Sequence, residues 1–250
     1  MPPSTVRTTR GGSPPGLPGV DPWLVRVLGP LLGAYVVELV LFAAGVDVYA
    51  LAWHPLGMGW AWWQVPGHLL IMPREAVLNV LISLLVAGMF LPGLRAHLGD
   101  RGLGELIGAS VLGGIGAMLL FDAVGALGLM DVGRALALGW GHLIVALIVA
   151  FGLSNPTGEI RLYFLFPIPA WILVWGSLLV PALFLLVALG NGADVLGHAR
   201  TVGAWGGAWA WWHSRGPAGR RRTLTARKTR IERELSHLQV LPGGKDDVVH

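Results

Sequence analysis

Arg200-Thr201-Val202-Gly203-Ala204-Trp205-Gly206-Gly207 is the stretch that decides how this chain folds. Beyond Arg200 and Thr201 it carries only apolar and small residues. Gly203 and Gly207 stand four positions apart, so on a helix they share a face. Small residues on one face let two helix backbones approach closely inside a bilayer, where packing holds helices together. Arg200 opens the segment, and an ionisable side chain at membrane depth is costly unless it is paired or faces water. The stretch therefore predicts a closely packed membrane helix carrying a cation that must be accommodated.

The rest of the chain agrees with that environment. Of its 250 residues, 54% are hydrophobic and 13% charged, whereas an ordinary soluble domain is about a quarter charged. Long apolar runs predict spans at 23–46, 75–90, 103–124, 134–153, 169–189 and 195–212. The stretch 48–72 is hydrophobic but broken by Pro55, Gly57, Gly59, Pro66 and Gly67. It holds Trp53, Trp60, Trp62 and Trp63, so it reads as an interfacial or re-entrant loop. Residues 1–22 are Pro-, Gly- and Ser-rich and precede a full-length span rather than a short signal core. They read as a disordered cytosolic segment. Cysteine is absent, which excludes a disulfide framework, a thiolate nucleophile and a cysteine metal site.

Charge sets the orientation. Between Ser214 and His250 nine Lys/Arg face four Asp/Glu, and base beside a span marks the cytoplasmic side. Six spans put both termini there. Arg95, Arg101 and Arg161 then fall in inner connectors, and Asp47, Asp131 and Asp194 outside. Residues 214–250 form a basic cytosolic tail. Leu224, Ile231, Leu235 and Leu238 recur in it at helical spacing, as in a marginal solvated helix or one lying on anionic inner-leaflet lipid. Base of this kind reports topology and lipid, so no nucleic-acid partner is expected.

Several motifs occur in a telling order. Trp63-Gln64-Val65 precedes Leu78-Asn79-Val80, Gly88 and Leu94, and the connector closes on Gly99. Leu143 to Gly152 leads to Asn155-Pro156, Ile160 and Phe166-Pro167-Ile168-Pro169-Ala170-Trp171. Arg200-x-x-Gly203-x-x-x-Gly207 follows. In order and spacing, over about 150 residues, the chain resembles the rhomboid family of intramembrane proteases. The resemblance implies an all-α membrane protein, a six-transmembrane-helix rhomboid-like bundle over 23–213, in the plasma (inner) membrane.

An active rhomboid needs a serine in a Gly-x-Ser-Gly turn of the fourth helix and a histidine on the sixth to take its proton. It also uses a His and an Asn at i and i+4 on the second helix to hydrogen-bond the oxyanion. Here the turn reads Gly139-Trp140-Gly141-His142: Gly141 stands at the nucleophile, or His142 after a one-residue shift. Arg200 stands at the base and cannot lose its proton at physiological pH. Asn79 is retained, but Glu75 stands four before it, where a carboxylate would repel an oxyanion. By the resemblance this is a pseudoprotease, and it would bind the transmembrane helices of other membrane proteins. No cofactor or metal is implied.

Each singled-out residue also has a plainer reading. Glu75 and Arg200 would pair across the bundle; otherwise Glu75 caps a helix and Arg200 snorkels. His142 and His198 facing one cavity would make a poor metal site without a third ligand, so core histidines are expected. His54 and His68 read as interfacial. Asn79 would bond a bound carbonyl or a neighbouring helix. Gly104-x-x-x-Gly108 and the ladder Ala109, Gly113, Ala117 are packing surfaces, and Trp205, Trp209, Trp211 and Trp212 an interfacial belt. Glu38 calls for an inward hydrogen bond, and Asp122 is expected at the outer interface. Two rival functions follow from other residues. Gly108-Ala109-Ser110 imitates the nucleophile turn, which would make Ser110 the serine of an active protease with His142 or His198 as its base. Alternatively Glu75, His142 and Arg200 would line the polar pathway of a small transporter or channel subunit.

Overall fold

The computed structural model describes residues 22–54, 62–72, 77–132, 139–162 and 166–236. The fold is all-α apart from one two-stranded ribbon. Helix α1 (Pro22–Ala43) is followed by a 3-10 turn at Val48–Leu51 and a short α2 (Gln64–Leu70). Helix α3 (Val77–Ala126) is two arms, 77–98 and 100–126, meeting at Gly99 (φ 72, ψ 170). Helix α4 (Gly141–Ser154) leads to β1 (Glu159–Leu162), paired antiparallel with β2 (Phe166–Pro169) from Glu159↔Pro169 to Leu162↔Phe166. Helices α5 (Ala170–Asn191), α6 (Val195–Ser214) and α7 (Pro217–Ser236) complete the chain.

The described part of each apolar run is largely helix, the form that satisfies backbone groups within one segment. Two helices, α3 and α5, are long and apolar enough to cross a membrane by length and composition; Leu28–Ala43 and α4 are shorter apolar helices. The outward faces are apolar: Val36, Val37 and Val40 on α1, Leu78, Leu81 and Leu85 on α3, and Leu179, Leu183, Phe184 and Val187 on α5 are all exposed. Contiguous apolar surface of this kind suits hydrocarbon and not water.

The first arm of α3 runs further than the apolar pattern suggests. Pro92 removes only one helical hydrogen bond, while Leu91, Leu94 and Leu98 keep burying one face until Gly99 takes a left-handed φ and turns the chain. Across that turn the Arg95 guanidinium bonds Asp100 and holds its carboxyl below the usual carboxylate range.

Helix α6 is the packing centre, flanked by α3, α4 and α5. Its contact with the second arm of α3 is a seam of bare backbone. A Cβ placed on Gly203 would collide with Gly113 O, one on Gly207 with Ala109 O, and one on Gly113 with Gly203 O. The ladder Ala109, Gly113, Ala117 thus packs as its spacing predicts. Gly104 and Gly108 do not: nothing lies within 4 Å of a Cβ on either, and Gly108 opens onto a surface cavity that it shares with Gly207, Ala210 and Trp211. Of the tryptophans on α6, Trp205, Trp211 and Trp212 are buried, with Trp205 Nε1 donating to Val174 O at 3.0 Å. They are core residues and not an exposed belt. Helix α7 carries Leu224 and Ile231 exposed on a basic surface.

Candidate functional site

The site lies where α4 begins, and a chain of local geometry puts it there. Gly139 takes φ 87, which an L side chain rarely adopts, and a Cβ on it would stand 2.6 Å from Met72 Sδ. Its N–H donates to His68 O at 2.8 Å. Trp140 then caps α4 without a side-chain hydrogen bond, and Gly141 and His142 are its first two residues.

Arg200 reaches this turn from α6, its Nη1 donating to Gly139 O at 3.1 Å. Its Nη2 lies 4.0 Å from where a Cβ on Gly141 would be. The two positions that the resemblance assigns to base and nucleophile therefore meet, with an arginine and a glycine in them.

Residues 48–54 and 62–72 of the loop pack beside this point, and Pro55, Gly57, Gly59 and Trp60 lie outside the described residues. Trp53 and His68 are fully buried and Gln64 nearly so, while Trp62 and Trp63 remain exposed. Only part of the loop is interfacial. The Trp53 and His68 rings meet edge-on at 5.7 Å, and the His68 and His142 rings lie 5.8 Å apart. Trp53 Nε1 donates to Asp122 Oδ2 at 3.1 Å. Asp122 is thus buried, not at the outer interface, because the loop folds inward and supplies an indole donor to it. Glu38, buried on α1, accepts from Met72 N at 3.0 Å, the inward hydrogen bond that its position calls for. The loop is tied to α1, α3 and the turn before α4.

Among the described residues, several buried polar atoms here have no hydrogen-bond partner: His68 Nε2, both nitrogens of His142, Arg200 Nε and Trp140 Nε1. His68 Nδ1 lies 3.1 Å from Gln64 O, to which only an N–H can bond, so the neutral ring presents a lone pair at Nε2. Burial first, and the Arg200 charge second, lower the His68 imidazole from 6.5 to about 4. The unfolded chain then binds more protons across that interval, so stability is full above pH 6.5 and is lost as pH falls towards 4. The loss is at most about 3 kcal/mol. Thermal melting in detergent is expected to drop between about pH 7.5 and about pH 5, and to drop less in His68→Gln. Equal pH dependence in both proteins refutes the assignment.

Ser110 is fully buried, and its one hydroxyl proton is shared between Ala204 O (2.9 Å) and His142 O (3.1 Å). It pins α3 to α4 and α6 through main-chain carbonyls, with no imidazole nitrogen as its acceptor. Ser154, Ser177 and Ser214 likewise donate to main-chain carbonyls. His198 faces away from the site, stacked on Phe184 at 5.5 Å. Asn79 is exposed on the first arm of α3. Glu75 lies outside the described residues. Among the described residues, no group of three His, Asp or Glu side chains is placed to hold a metal ion.

No family model, curated protein or solved structure matches this chain. The site includes His68, Trp53 and Asp122, none of which the sequence marks as partners. Their bonds span tens of residues and leave no periodic trace.

Proposed function

We propose that this protein is a rhomboid-like pseudoprotease, a six-span membrane protein that binds transmembrane helices of client proteins without cleaving them. The observation that carries this reading is the meeting of Arg200 with the Gly139–Gly141 turn. It joins the two elements on which a serine and a histidine would have to stand, and neither residue is there. A guanidinium cannot act as a base near neutral pH, and glycine has no nucleophile. Three further features are consistent with it: the Gly seam between α3 and α6, the outward apolar faces, and a polar centre kept under a tied loop.

Both termini are assigned to the cytoplasmic side of the plasma (inner) membrane, with the basic tail on anionic inner-leaflet lipid. Arg215, Arg220 and Arg227 line one groove with Leu224 at the α6–α7 corner, which offers headgroup phosphates positive charge beside an apolar anchor. The nucleophile question is tested by treating the purified, detergent-solubilised chain with a fluorophosphonate, beside Ser110→Ala. No labelling of the native chain is expected. Labelling that disappears in Ser110→Ala means that the protein is a serine hydrolase and the proposal is wrong. Binding itself is tested by photo-crosslinking from α5, whose outward face would meet a client helix.

A further inference from the structure

Arg200 is held by one end only. Nη1 donates to Gly139 O, while Nε is buried with no hydrogen-bond partner and Nη2 is turned towards Gly141. Nε and Nη2 form one edge of the guanidinium, and two parallel N–H groups on one edge match the two oxygens of a carboxylate. No carboxylate of the described residues lies within ion-pair distance of Arg200. Asp122 is engaged by Trp53 and Glu38 by the Met72 amide.

The surroundings favour the same charge. His142 is 3% exposed, and neither ring nitrogen has a partner, so either can carry the N–H that donates to an anion. The start of α4 adds the positive end of a 14-residue helix, with no side-chain cap on it. The centre holds more unpartnered donors than acceptors: Arg200 Nε, Trp140 Nε1 and one His142 N–H stand against lone pairs on the other His142 nitrogen and on His68 Nε2. A buried donor without an acceptor is costly, and the part-buried Arg200 cation has Asp194 as a counter-charge only beyond ion-pair distance. Both are relieved when a carboxylate enters.

We propose that the Arg200–His142 centre at the start of α4 is a carboxylate-binding site. Its ligand has two sources of the same chemistry: a small free carboxylate, or the Asp or Glu side chain of a transmembrane helix. The second source rests on the client-binding reading above and would give that reading its selectivity. A helix carrying one acidic residue is poorly solvated by lipid and gains a partner here. Glycine at position 141 leaves room beside Nη2.

The test uses the full-length protein in nanodiscs, at neutral pH, in native form and as Glu75→Gln, so that an internal carboxylate cannot mask the site. One arm measures binding of two synthetic apolar transmembrane peptides that differ by a single central Asp or Asn. The other measures thermal protection by acetate against chloride at equal ionic strength. The Asp peptide is expected to bind about tenfold more tightly than the Asn peptide, with the preference lost in Arg200→Gln and reduced in Arg200→Lys, which keeps the charge without the fork. Equal binding of the two peptides in both forms, with no protection by acetate, overturns the carboxylate site and leaves client binding standing. If neither peptide binds while acetate protects through Arg200, the site stands with a free carboxylate as its ligand and the client reading falls. Because the peptide comparison is made within one protein, it decides the matter even if an Arg200 variant does not fold.

Discussion

Gly207→Ala is expected to cost on the order of 3 kcal/mol or more of stability, at the upper end of overpacking substitutions, and Gly203→Ala a similar amount. On an isolated helix the sign would be the opposite, since alanine favours helix over glycine by about 1 kcal/mol. The seam reverses it. A Cβ at 207 would overlap Ala109 O, and one at 203 would overlap Gly113 O and the Ala117 methyl. A long side chain could rotate away from such a clash, but a helix carbonyl can move only with its whole helix. Separating α3 from α6 would also break the Ser110–Ala204 bond and draw Arg200 away from the turn before α4. Gly206 supplies the control on the same helix: it is exposed, with nothing within 4 Å of an added Cβ. Gly206→Ala should be neutral or slightly stabilising. The measurement is thermal unfolding in one detergent, with monodispersity checked by gel filtration. A Gly207→Ala protein as stable as Gly206→Ala would mean that the two backbones do not touch.

Trp53→Ala is expected to cost about 3–5 kcal/mol, the range for removing a buried Trp. Trp53 is fully buried, packed with Met118, Val132 and Leu196, and it is the link between the loop and Asp122. Trp53→Phe separates two contributions. It keeps most of the ring contact and removes the N–H, so it should cost about 1.5–3 kcal/mol, the range for a hydrogen bond to a charged group. The pair Trp53→Phe and Asp122→Asn should be less than additive, because both changes act on the one Trp53–Asp122 hydrogen bond. Limited proteolysis gives an independent readout: both Trp53 variants should be cut within 48–72 sooner than the native chain. Unchanged melting and unchanged cleavage in Trp53→Ala would show that the loop is held by something else.

The sequence is most legible where apolar runs are long. Described parts of the six apolar runs lie in α1, the two arms of α3, α4, α5 and α6, of which α3 and α5 are long and apolar enough to cross a membrane, and Gly99 closes the first connector where the chain does turn. Spacing alone marked the Gly203–Gly207 face and the Ala109–Gly113–Ala117 ladder. Legibility failed where a residue's partner is distant. Asp122 reads as interfacial because it stands near the end of a run, and nothing nearby announces an indole 69 positions earlier. His68 and Trp53 sit in a stretch broken by prolines and glycines, which looks like surface until Glu38, Asp122 and Gly139 are seen to hold it. Gly104 and Gly108 show the converse. Their spacing is that of a packing motif, but it says nothing of which helix, if any, lies opposite. For the candidate site, the sequence named Gly141, His142 and Arg200; only the packing shows that they meet and that Glu38 and Asp122 are already engaged.

The seam also has a bearing on biosynthesis. Helix α6 leaves the ribosome after α1 to α5, yet it supplies the backbone against which α3 closes, an acceptor for Ser110 and the arginine that bonds the turn before α4. Until it emerges, the earlier helices can bury neither Gly113 nor the Ser110 hydroxyl against it. A ribosome stalled before residue 195 would therefore leave the glycine face of α3 open.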